Sequence, residues 1–388
     1  MGLCHAGVGQ SFDGSQFRAI SAVLPIYFIC VLCGSVLVIG VMKGLADFAA
    51  SSLDLVSGYF SGQMGRRNGL AWFGYAILVF DEFILVRFVS VKGVIAFRLI
   101  NRLGKSVRGA PRDAMLASPA PKGRRGFPFG LHKALDKAVE VIRPFVAYLV
   151  FSLGGESRET FDSLFLISLI PAILAFKILW LAVKDCAPTP HSNRGRIRET
   201  WKALGRPFKD YILSSAAFSL EYFSFAFLAL KGQSVGLSLQ DQALLYGLFN
   251  LVFTITSLPI GWMGDRVGQK NIVVISYLMY IAMAIGFMIS ETTLAVSAMV
   301  VVSGVFYAMN EGQTKAYLWD LTEEANRAPA IVIYGFVTGL AYLPSSLVAG
   351  ALWPLGPMWA FAFAFAIGTT VVALAMFLST PVRMIPAE

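Results

Sequence analysis

The sequence predicts an all-α polytopic membrane protein with about twelve transmembrane helices in two six-helix lobes. Three observations predict it. First, 56% of the 388 residues are hydrophobic and only 14% are charged, where a soluble domain carries about 25% charged residues. Mean hydropathy is +0.67. Second, the apolar runs between charges are long enough to cross a bilayer. Third, a glycine-spaced turn near position 58 returns near position 261, so the chain repeats itself once.

A hydrocarbon core about 30 Å thick needs about 20 apolar residues per helix. By that measure spans fall near 12–33, 36–61, 69–89, 93–117, 127–152 and 163–183. Six more fall near 211–231, 238–263, 271–290, 294–320, 328–353 and 358–379. The first is the weakest. FDGSQFR fills its outer turns and only AISAVLPIYFICVLC is firmly apolar, which fits a truncated first helix or a native short one.

The stretch 184–209 between the two sets is polar, with Pro, Ser and Asn early and a basic amphipathic end (Ile197, Trp201, Leu204) suited to a membrane surface. It is read as a linker, giving a first lobe over 1–183 and a second over 210–388. Lys and Arg in the loops set the orientation. With both termini cytoplasmic, that side holds sixteen basic residues, among them Arg66, Arg67, Arg124, Arg125, Arg196 and Arg266. The other side holds four: Arg87, Lys92, Arg158 and Lys231. This positive-inside bias predicts a multi-pass protein of the bacterial inner membrane with both ends in the cytoplasm.

The net charge of +9 lies between or within apolar segments, so it suits lipid headgroups and cytoplasmic loops rather than nucleic acid. Cys30 and Cys33 have CxxC spacing but sit in an apolar helix without a second ligand pair, which favours packing. Cys4 and Cys186 are isolated. The first eighteen residues contain no basic leader followed by an apolar run. With no nucleotide-binding loop, clustered metal ligands or nucleophile elbow, hydrolysis and ATP-driven pumping are disfavoured. The expectation is a non-enzyme without a cofactor, and a resident metal is left undetermined.

Charge inside the spans carries the functional reading. RLINRLGKSVRGAPRD places Arg98, Arg102, Lys105, Arg108 and Arg112 within sixteen residues, in a helical sector about 120° wide. Charge at membrane depth is costly and points to a pathway or binding site. The pathway set is Arg98, Asn101, Arg102, Lys105, Arg108, His132, Asp136 and Glu140, with Arg112 and Asp113 near the cytoplasmic mouth. On a wheel centred on Asp136, His132, Lys133, Glu140 and Arg143 fall within roughly 60°, a second stripe able to neutralise the first. Carboxyl groups in low dielectric can exchange a proton as access alternates. Asp136, Glu140, Glu221 and Glu311 are the coupling candidates. Buried ion pairs that only hold helices in register are the plainer alternative.

The repeated turn is Gly58-Tyr-Phe-Ser-Gly62-Gln-Met-Gly65-Arg66-Arg67 in the first half. In the second it is Gly261-Trp-Met-Gly-Asp265-Arg266-Val-Gly268-Gln-Lys270. It resembles the loop motif of the major facilitator superfamily, Gly-x3-Asp-Arg-x-Gly-Arg-Arg. The second copy is nearly intact and the first has Gly62 and Gln63 in place of its acid–base pair. GKSVRGAPRDAMLA, RRGFPFGLHKALD and VTGLAYLPSSLVAGALW resemble a bacterial branch of that family along nearly the whole chain. The resemblance implies a secondary transporter that rocks around a central cavity, with Gly58, Gly65, Arg66, Arg67, Gly261, Asp265, Arg266 and Gly268 in a gating latch. The residues before Pro144 lack the glycine-rich pattern of drug–proton antiporters, and the mixed charge favours a small polar or ionic solute, with a proton as coupling ion. A narrower resemblance, to the magnetosome-associated members, implies iron as cargo and a magnetosome membrane. A fold that has lost transport and serves as scaffold or sensor is the rival from another class.

Overall fold

The computed structural model describes residues 28, 35–42, 44–46, 48–49, 77, 80, 92–97, 99–101, 104, 126–155, 157, 159–164, 166–167, 170, 173, 201–221, 225–323 and 326–377. Its elements are helices. They are α1 (Val36–Ala46), α2 (Gly126–Gly154), α3 (Arg206–Ser219), α4 (Phe225–Ser234), α5 (Leu239–Val267), α6 (Gln269–Ile289), α7 (Thr293–Asp320), α8 (Arg327–Leu352) and α9 (Pro357–Phe377). Among the described residues, four helices are long and apolar enough to cross a membrane: α5, α6, α7 and the stretch Pro329–Leu355. In lipid every backbone polar group must be satisfied within its own segment, so spanning helices are the economical answer to this composition.

Local chemistry sets several ends. Ser238 caps α5 by accepting from the Asp241 N–H, and the Asp241 carboxylate accepts in return from the Ser238 N–H. That exchange satisfies donors the first turn would otherwise leave bare. Thr292 caps α7 through the Ala295 N–H. Between α5 and α6 stands a single residue, Gly268, at φ +98°. Only glycine takes that conformation without strain, so a one-residue reversal requires it.

The span expected over 211–231 is described in two parts, on either side of residues 222–224, which lie outside the described residues. The described residues form α3 and α4, and the turn leaving α3 tightens to i→i+3 bonds: Leu220 N–H to Ala217 O and Glu221 N–H to Phe218 O. Mid-helix tightening of this kind often marks a hinge.

Among the described residues, α2 joins the first half of the chain to α5 and α7 of the second, and α1 joins it to α8. α2 and α5 run antiparallel along their whole length. Gly130, near the start of α2, meets Ser257 and Gly261 near the end of α5. Gln240, near the start of α5, donates to the Phe151 carbonyl near the end of α2. A Cβ at Gly130 would stand 2.6 Å from the Ser257 carbonyl oxygen, so the helices touch backbone to backbone. α1 crosses α8 in the same way, with Gly40 against Ser346 and Gly350. The core of the second half is aromatic, built around buried Phe208, Phe218, Phe253, Tyr280, Phe287 and Phe306.

Candidate functional site

The second-half turn motif is assembled at one end of the bundle, where α2 starts and α5 ends. Each of its residues has a separate structural task. Gly261 lies under Gly130 at the helix crossing, and Gly268 makes the reversal. Gly264 leaves room for two amides, since a Cβ there would fall within 2.6 Å of the Gln269 side-chain oxygen and closer still to that of Gln313. Asp265 reaches the first half: its Oδ2 accepts from the Phe127 N–H at 2.9 Å, and its Oδ1 accepts from Gln269 Nε2 at 2.8 Å. Phe127 is the second residue of α2, so a carboxylate sits where the unpaired amides and positive dipole end of that helix favour it. The Arg266 guanidinium stacks over the Trp262 ring, 3.5 Å from its centroid, a cation–π contact.

Nearer the middle of α2 lies a charged pair. Lys137 Nζ donates to Glu140 Oε2 at 2.6 Å, and both side chains are more than four-fifths buried. From the second half, Phe253 of α5 presents its ring 5.2 Å below the ammonium, and Glu311 of α7 acts on the same charge. The cation is thus paired with Glu140 and faces an aromatic ring, with the Glu311 charge within electrostatic reach. Gly312 is buried, yet a Cβ there would meet nothing among the described residues within 4 Å. Charge of both signs therefore lies next to a position at which the described residues leave room for a side chain.

Toward the turn-motif end, α3, α6, α7 and α8 bring hydroxyls and aromatic rings together. Tyr211 meets Tyr317 edge-on at 4.8 Å and stacks on Tyr334 at 6.0 Å. Ser215 Oγ and the Tyr277 hydroxyl are 3.4 Å apart. The Tyr211 hydroxyl is buried without a hydrogen-bond partner among the described residues. This wall can offer hydrogen bonds and ring faces without formal charge.

Of the residues singled out from sequence, Asn101 is described and buried, and Glu140, Glu221, Glu311, Gly261, Asp265, Arg266 and Gly268 are described as above or below. His132 and Asp136 lie on α2, their side chains outside the described residues. Arg98, Arg102, Lys105, Arg108, Arg112, Asp113, Gly58, Gly65, Arg66 and Arg67 also lie outside the described residues. Lys137 had no place in the predicted set. Its spacing of three from Glu140 was the available signal, because i,i+3 residues are neighbours on a helix. The tyrosine–hydroxyl wall carried no sequence signal, since its members come from four helices.

Comparison with known proteins agrees with this architecture. The family model described as Major Facilitator Superfamily matches residues 211–387. An uncharacterised MFS-type transporter of Methanocaldococcus jannaschii is 31% identical over 369 residues, covering 92% of this chain and 89% of that protein. An uncharacterised protein of Mycobacterium bovis is 26% identical over 351 residues, covering 87% and 81% respectively. Among solved structures, a mutant of the nucleoside transporter NupG superposes with a TM-score of 0.75 at 13% identity, covering 97% of this chain and 99% of that one. The human organic anion transporter MFSD10 superposes at 0.70 and 12% identity, covering 96% and 98%. These two show a shared fold. With a relative above 30% identity along nearly its whole length, the chain belongs to the major facilitator superfamily and is a multi-pass membrane transporter.

Proposed function

We propose that this protein is a secondary transporter of a small polar or ionic solute, working by alternating access and coupled to an ion, with a proton as the first candidate. The observation that carries the reading is the buried Lys137–Glu140 pair, with Phe253 and the Glu311 charge acting on it from the second half. Ionisable groups at such depth face pathways rather than lipid. A greasy cargo would not require them. Backbone contact at Gly40 and Gly130 supports two bodies that part and meet, as rocking between repeats demands.

The turn motif fits a latch. Asp265 joins the second half to the start of α2, and parting the halves would release it. The sixteen-to-four loop charge asymmetry supports placing this end in the cytoplasm. Nothing among the described residues favours iron over another solute.

Uptake by proteoliposomes across a panel of ions and polar metabolites, with and without a pH gradient, tests the reading. Saturable uptake that Lys137→Met abolishes is the expected result. Absence of any saturable uptake would favour the scaffold or sensor reading.

A further inference from the structure

α5 sends the acid and the base of its turn motif in different directions. Around Ile255, the residues Leu248, Leu251, Pro259, Trp262 and Arg266 fall within a helical sector about 80° wide, and all six are exposed. Asp265 leaves the helix roughly 100° away. It shares its side with Gly247, which meets Pro144 of α2, and with Gly261, which meets Gly130. Both its oxygens are occupied there, one by the Phe127 N–H and one by the Gln269 amide. The acid serves the contact between halves. The base faces outward.

The outward sector has the length of a bilayer. Asp241, exposed in the first turn of α5, lies in the same sector. At 1.5 Å per residue it stands about 37 Å from Arg266 along the axis. That exceeds a hydrocarbon core of about 30 Å and falls short of the roughly 40–45 Å that includes the headgroups. Between these two charges the sector is apolar, so Arg266 ends a lipid-facing stripe at headgroup depth. Trp262, one turn earlier and 48% exposed, carries the guanidinium 3.5 Å from its ring centroid. Tryptophan is enriched at this boundary. Stacking uses the face of the guanidinium and leaves its N–H edge directed at acceptors, a geometry suited to phosphate oxygens. Lys270, the second residue of α6, adds a positive charge just past the one-residue reversal.

We infer that Arg266, steadied on Trp262, binds the phosphodiester of an anionic phospholipid in the leaflet on the turn-motif side. The ring fixes the plane of the fork, Lys270 favours a lipid with net negative charge, and the stripe below receives the acyl chains. The plainer role, a cation that suits the last turn of α5, predicts no preference among lipids.

The test titrates the purified full-length protein in detergent with phosphatidylglycerol or phosphatidylcholine and follows bound lipid by native mass spectrometry. Phosphatidylglycerol should be retained where phosphatidylcholine is lost. Arg266→Gln should weaken its tightest binding by about tenfold, the scale of a charge-assisted hydrogen bond. Trp262→Leu, which removes the ring without touching the charge, should weaken it less. Lys202→Gln makes the same change of charge at another exposed cation and should leave it unaltered, as should excess inorganic phosphate. Added phosphatidylglycerol should raise the thermal unfolding midpoint of the parent and of Arg266→Lys more than that of Arg266→Gln. Equal retention of phosphatidylcholine, or unchanged binding in Arg266→Gln, would overturn the proposal. An equal loss in Lys202→Gln would also overturn it, in favour of diffuse surface charge, and displacement by inorganic phosphate would make this a site for free anions. None of these readouts needs a transported solute.

Discussion

Lys137 is a cation at a depth that lipid does not tolerate, and its retention depends on what surrounds it. Glu140 lies one turn along the same helix, and Glu311 and Phe253 reach it from the other half. Removing one member of a buried pair leaves the other charge stranded, at a cost of about 3–5 kcal/mol, whereas replacing both with apolar groups is close to neutral. Lys137→Met and Glu140→Leu should each lower the thermal unfolding midpoint in detergent. The double variant should recover part of that loss, Glu311 having still lost the cation, while uptake stays lost. Recovery of both would make the pair a structural register device only. Gly268 offers a second case. A side chain at φ +98° costs roughly 1–2 kcal/mol, so Gly268→Ala should lower the same midpoint measurably.

At the scale of helices, much was legible in the sequence, for a physical reason. A bilayer forces runs of apolar residues, so spans expected near 238–263, 271–290, 294–320 and 328–353 appear as Leu239–Val267, Gln269–Ile289, Thr293–Asp320 and Arg327–Leu352. The end of α3 at Ser219 was not legible, because SLEYFSF contains neither glycine nor proline to announce it. Lys137 escaped because a wheel centred on Asp136 sets it to one side. The meaning of Gly261 was legible only as a turn, while the structure adds a crossing with Gly130. That crossing predicts that Gly130→Leu will drive α2 from α5, since even a Cβ there stands 2.6 Å from a carbonyl oxygen. Uptake should fall by more than about tenfold, the scale of a few kcal/mol at a packed contact. Gly155→Leu, at an open position just past the opposite end of α2, controls for added bulk, although its φ of +67° brings a separate, local strain.

Among the contacts that join the halves in the described residues, two are antiparallel, and they sit differently along the length of the molecule. The α2–α5 contact runs from the turn-motif end to the opposite end. The α1–α8 contact joins Val36–Gly44 to Leu343–Gly350, toward the end of α8 away from that motif. A transporter that opens there must part α1 from α8. Cysteines placed at Gly44 and Ser346, where a Cβ at 44 would stand 3.4 Å from that of 346, in a background with the four native cysteines replaced, should therefore form a disulfide. The close approach of these backbones suits the geometry such a bond needs. Oxidation should stop uptake and reduction should restore it. Uptake that persists in the cross-linked protein would mean that this end does not open.

The glycines at these crossings also limit how the chain can be exchanged with others. A backbone-to-backbone seam is a property of two sequences at once: small residues at 40 and 130 are useful only where the facing helix is small at 350 and 261. Chimeras that join the first half of this protein to the second half of a relative should function only when the incoming α5 and α8 keep small residues opposite Gly130 and Gly40. Matching the hydropathy of the graft would not suffice.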